Sequence, residues 1–201
     1  MQKNNNSSKQ ISDQHGQALV KLARQAILKR LGRKINMFDS DSLSEILSDD
    51  DLQAKRGTFV TLKINSRLRG CIGSLSADES IVEGVRRNAI NAAFHDPRFS
   101  PLSVEESDNI DIEISILTES RLLEYIDGVD LISKLRVDVD GVILRKGAAC
   151  ATFLPQVWKQ LSRPEMFLSQ LCLKAGLSAD TWQKAGLEVK IYQVQYFEEN
   201  K

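Results

Sequence analysis

The period of the hydrophobic residues changes several times along the chain, and each change marks an element. Leu19, Leu22, Ala23, Ala26, Ile27 and Leu31 recur at three- and four-residue steps, the spacing of one helix face. Ser12 or Asp13 supplies a cap at its start and Gly32 a stop. Residues 39–51 are acidic and serine-rich around Leu43, Ile46 and Leu47, and read as a loop carrying one short helix. From Gly57 the period shortens to two, and Phe59-Val60-Thr61-Leu62-Lys63-Ile64-Asn65 reads as a strand. A turn at Asn65-Ser66-Arg67 leads into a hairpin partner, Leu68–Leu75, that carries Gly70 and Gly73. Ile81, Val82, Val85, Ala89, Ile90 and Ala93 predict a helix from about Glu79 to Phe94, broken by Pro97 and Pro101. Asp111–Thr118 alternates as a strand with one buried face.

The arrangement then recurs. Gly141–Leu144 reads as a strand, Ala148–Phe153 as its partner, and Pro155 as the first residue of a helix over about 156–161. A further helix spans Pro164–Ala175 and stops at Gly176, and Leu187–Val194 alternates as a last strand. Strand, cysteine-bearing strand, helix and strand thus occur twice, at about 57–118 and 141–197, which predicts an internal duplication and an α+β fold. The N-terminal helix and acidic loop occupy 13–56. Residues 1–12, rich in Asn, Ser, Gln and Lys, read as a disordered start to a single domain over 13–201.

Composition narrows the function classes. The 27 basic residues balance the 27 acidic ones and aromatics are only 6%, which argues against a nucleic-acid stacking surface. The start has no apolar core of a secretory signal, and no apolar run reaches membrane-spanning length. Cys71, Cys150 and Cys172 are odd in number and lack CxxC spacing. They fit a reducing, cytoplasmic setting and argue against a disulfide framework or a structural zinc site.

Five blocks, in order, resemble one known family: Gly57-Thr58-Phe59-Val60-Thr61-Leu62, Leu68-Arg69-Gly70-Cys71-Ile72-Gly73, Ala92–Phe99, Thr152–Trp158 and Lys174-Ala175-Gly176-Leu177. Together they are similar to the AMMECR domain family, also called AmmeMemoRadiSam system protein A, over about residues 14–197. The resemblance implies two repeats, each of three strands and two helices, forming one barrel-like mixed sheet flanked by helices. It also implies neighbours, because family members are often encoded beside a Memo-type and a radical S-adenosylmethionine protein, which makes those proteins candidate partners. It supplies no established activity, but it marks Arg69–Gly73 as a signature.

Cys71 is the sharpest chemical candidate, because a thiol beside positive charge and amide donors becomes a nucleophile. Arg69 lies two residues away, and Gly70 and Gly73 would let a ligand or backbone come close. A base is also required, and His95, just past the following helix, is the better placed of the two histidines. Glu113 and Asp111 share one strand face, where an acid among isoleucines could act as a general base. Arg69, Arg86, Arg87 and Arg98 could converge on a carboxylate or phosphate. The competing readings are a core cysteine among packing glycines, a solvated Arg86–Arg87 face, and an Arg98 that pairs with Asp96. Trp158 reads as core rather than as a ligand wall. Cys71-centred glycines do not make a dinucleotide fingerprint, and two distant histidines give no metal-ligand spacing, so neither cofactor nor metal is expected. Three functions follow: a binding module serving those partners, an enzyme using Cys71 on an anionic small molecule, and an accessory to RNA modification.

Overall fold

A computed structural model describes residues 10–33, 40–184 and 186–199. The expected disorder of residues 1–12 falls mainly outside these residues. Within them, Ile11 is buried in the core and its N–H donates to Gln195 Oε1 at 2.9 Å. The chain divides into two compact units, Met1–Leu117 with Gln195–Lys201, and Thr118–Val194.

In the first unit, α1 (Asp13–Arg30) starts at Ser12, whose side chain accepts the His15 N–H, and it ends before Gly32. The acidic segment holds two short helices where one was expected, α2 (Ser40–Leu47) and α3 (Asp50–Gln53). Asp49 caps α3 by accepting the Asp51 N–H. Strands β1 (Thr58–Ile64) and β2 (Arg67–Ser74) form an antiparallel hairpin. Its loop residues Asn65 and Ser66 both have positive φ, the tight turn whose twist matches paired strands. Helix α4 (Ile81–Phe94) follows, capped by Ser80, then β3 (Ile110–Leu117). The last strand of the chain, β8 (Val194–Glu198), completes a sheet ordered β2-β1-β3-β8. Apolar residues of α1 and α4 pack with Val60, Leu62, Ile110, Ile112, Ile114 and Ile116 as one core.

The second unit contains β4 (Arg121–Leu122), α5 (Gly128–Lys134), β5 (Gly141–Lys146), β6 (Ala149–Phe153), α6 (Pro164–Lys174) and β7 (Glu188–Tyr192). Its sheet runs β4-β7-β5-β6. The helix expected over 156–161 is a short 3-10 turn, Pro155–Lys159. Trp158 is buried, stacked on Phe167 at 3.7 Å, with its N–H on Asp140 O. Thr118 and Gln193, near the ends of the unit, are joined by two hydrogen bonds of 2.9 Å.

Two expectations are corrected. The described strands form two separate four-stranded sheets, each with two edge strands, rather than one barrel-like mixed sheet. The hairpins β1–β2 and β5–β6 pair antiparallel, as their tight turns require, and β3 and β7 add to them antiparallel as well. The single last strand is in fact two, β7 and β8, broken at Gln193, whose backbone bonds Thr118 instead of continuing a ladder. No described helix is long and apolar enough to cross a membrane.

Candidate functional site

Strand β2 is an edge strand, and the register decides which of its atoms face outward. Cys71 lies opposite Thr61, while Arg69 is the extra residue where the pairing shifts between Leu62–Gly70 and Lys63–Leu68. Such a bulge bends a strand and re-aims a side chain. Here the Arg69 guanidinium clasps Glu106 through Nε at 2.8 Å and Nη2 at 2.9 Å, and Nη2 also donates to Ser100 O. Each partner stabilises the charge of the other: Arg69 is pushed up and Glu106 down from their ordinary pKa values, chiefly by this hydrogen bond.

The backbone of Cys71 points away from β1 and would be an open edge. The Asp96-Pro97-Arg98 turn closes it. Asp96 Oδ2 accepts the Cys71 N–H at 2.8 Å, and Arg98 Nη2 donates to Cys71 O at 3.3 Å. Arg98 also clamps Asp96 with Nε and Nη2, at 2.9 and 2.7 Å. Asp96 is 4% exposed. The Arg98 guanidinium, aided by the Cys71 and Arg98 N–H groups, holds its carboxyl well below the usual carboxylate range despite burial. Phe99 lies between the two arginines, 5.8 Å from Arg69 and 5.5 Å from Arg98.

The glycines serve packing. A Cβ on Gly70 would stand 2.1 Å from Ala92 O of α4, and one on Gly73 would strike the Phe59 ring at 2.2 Å. Neither position opens toward a ligand through its missing side chain.

The Cys71 thiol is half-buried and accepts a hydrogen bond from Thr61 Oγ1 at 3.3 Å. Thr61 also pairs with Glu113 on β3, so Cys71, Thr61 and Glu113 form one row across the sheet. Glu113 binds Lys63 Nζ at 2.8 Å, which raises the lysine's pKa. Tyr196 belongs to the same neighbourhood. Although Tyr196 is 41% exposed, partial desolvation, reinforced by the Glu113 charge, pushes its hydroxyl up to about 12.

His95 does not join this row. It is exposed, and its Nδ1 lies 3.0 Å from Asn91 Oδ1. Arg86 and Arg87 lie on the exposed side of α4, with Arg87 paired to Glu79. Thr61, Lys63 and Tyr196 were missed, because strand register, not sequence distance, brings them to Cys71 and Glu113, and Glu106 was missed because a bulge turns Arg69 toward it. The Asp-x-Arg spacing did signal the Asp96–Arg98 pair.

The AMMECR1 family model matches residues 20–197. A protein of Methanothermobacter thermautotrophicus is 38% identical, covering 94% of this chain and 97% of its own length. Protein MK0488 of Methanopyrus kandleri is also 38% identical, covering 94% and 90%. Among solved structures, the uncharacterized protein PH0010 of Pyrococcus horikoshii superposes with a TM-score of 0.77 at 36% identity, covering 94% of each chain. With a match over nearly its whole length, the chain belongs to the AMMECR1 family.

Proposed function

We propose that the protein is a binding module that acts with Memo-type and radical S-adenosylmethionine partners through the surface around Arg69-Gly70-Cys71-Ile72-Gly73. One observation carries this reading: the polar groups of the signature are already engaged within the chain. Arg69 is held by Glu106, and the Cys71 backbone by Asp96 and Arg98. The thiol hydrogen-bonds a hydroxyl rather than a carboxylate or imidazole, so no base stands ready to take its proton. What faces outward is the half-exposed Arg98 guanidinium beside the thiol, a recognition feature. The three free cysteines support a cytoplasmic setting. The matching order of β2-β1-β3 and β6-β5-β7 supports a duplication within one AMMECR domain. Net charge near zero keeps nucleic acid the least favoured partner.

Co-purification with the two partner proteins, in reducing and oxidising buffer, tests the module. Wild type and Cys71→Ser are expected to associate equally, and Arg98→Gln about tenfold more weakly, a change of about 1.4 kcal/mol. Association that fails in every redox state removes the reading.

The row Cys71–Thr61–Glu113 favours one alternative, an enzyme in which Cys71 acts as nucleophile or acid/base on an anionic small molecule near Arg98. Slow alkylation separates the two. A thiol that reacts in the folded protein no faster than in urea-unfolded protein supports the module. Faster reaction when folded, with loss of a cellular phenotype in Cys71→Ser, supports the enzyme.

A further inference from the structure

The start of the first unit contains a second cluster, unconnected to the signature strand. His15 sits in the first turn of α1, while Asp49 caps α3 and Asp51 lies in its first turn. Their ligand atoms all lie within 4.8 Å of one another. The spacing in sequence hides this group, since the histidine and the acids come from different helices.

The His15 ring has no hydrogen bond that accounts for its position. Nε2 stands 3.7 Å from Asp49 Oδ2, beyond hydrogen-bond reach, and Nδ1 is buried without a partner. Buried ring nitrogens normally find one. Asp49 is already oriented: its Oδ1 accepts the Asp51 N–H at 2.8 Å, leaving Oδ2 toward the ring. Hydrogen bonds of this kind fix the direction of metal-ligating carboxylates. One imidazole nitrogen and two carboxylate oxygens at this spacing are donor types that a divalent cation takes.

We propose that His15, Asp49 and Asp51 bind a divalent transition-metal ion that clips α1 to α3. One nitrogen and two carboxylates suit a borderline ion such as Zn2+ rather than Mg2+ or Ca2+, which favour all-oxygen sites. The half-exposed Asp49 leaves the remaining coordination positions to water. The site lies on different elements from Cys71, so its role is to hold the helices together, whichever function the signature serves.

Titration of the full-length chain with ZnCl2, followed by calorimetry, tests the site in a Cys150→Ser background that removes the exposed thiol. One ion per chain is expected, with the His15 ring 15N resonances shifting on binding and naming the ligating nitrogen. His15→Gln and Asp51→Asn should each weaken binding about tenfold or more, and abolish the rise in melting temperature that Zn2+ gives. Should His15→Gln fail to fold, Asp49→Asn decides the matter, because asparagine preserves the helix cap. Absence of saturable binding, binding lost only with Cys150, or binding unchanged in these variants overturns the proposal.

Discussion

Asp96 accepts hydrogen bonds from the Cys71 N–H and from three nitrogens of Arg98, so one carboxylate replaces the neighbouring strand that β2 lacks. Replacing it by alanine leaves the Cys71 N–H without an acceptor and the half-exposed Arg98 without its carboxylate. Asp96→Ala is therefore expected to cost about 3 kcal/mol, read from urea unfolding at neutral pH. Its pKa lies lower in the folded chain than in the unfolded one. The stabilisation is thus present above the ordinary aspartate value of about 3.9 and fades as the pH falls below it. Asp96→Asn should flatten this acid limb, and an unaltered limb would place the loss elsewhere. Tyr196 gives the opposite sign. Its raised pKa contributes stability below the unfolded value of about 10, lost as the pH climbs toward the folded value of about 12. In Tyr196→Phe, absorbance titration at the tyrosinate band should lose a step near pH 12.

Helices and strands register a different kind of constraint. Gly70 keeps α4 seated on β2, and Gly147 forms the β5–β6 turn at φ +58 with open space around it. Gly70→Ala should cost about 3 kcal/mol through overpacking against Ala92 O, and Gly147→Ala only about 1 kcal/mol through backbone strain. Comparable losses in urea melts would contradict that division. Much at this scale was legible in advance. The apolar stripe of α1, the cap at Ser12, the Asn65-Ser66 turn and the alternation of β3 are local patterns that need no tertiary information. The segment 121–134 was not read as β4 and α5, because a two-residue strand and a seven-residue helix carry too few periods to show. The interruption between β7 and β8 at Gln193 was equally hidden. Its cause is a hydrogen bond to Thr118, far away in sequence.

Across the whole molecule, the signature segment could be picked out from sequence, but its surroundings could not. Cys71 and Glu113 meet in one row because β1 pairs on both sides, a fact of register. Arg69 leaves the expected alternation because of a bulge, and reaches Glu106 instead of an incoming anion. The predicted barrel also failed here. Alternation within strands fixes which face is buried, but it does not say whether a sheet closes on itself or stops at an edge.

The hydrogen bonds between Thr118 and Gln193 give the second unit adjacent ends. A segment that begins and finishes at one point is, in effect, a cassette: it can be cut out or exchanged with a single splice. Residues 118–194, with their own core around Trp158 and Phe167, should fold when expressed alone, as dispersed amide resonances would report. A collapsed spectrum would refute this. Evolution could use the same splice point to lengthen, trim or replace the cassette in relatives of this chain, leaving the strand that carries Cys71 untouched.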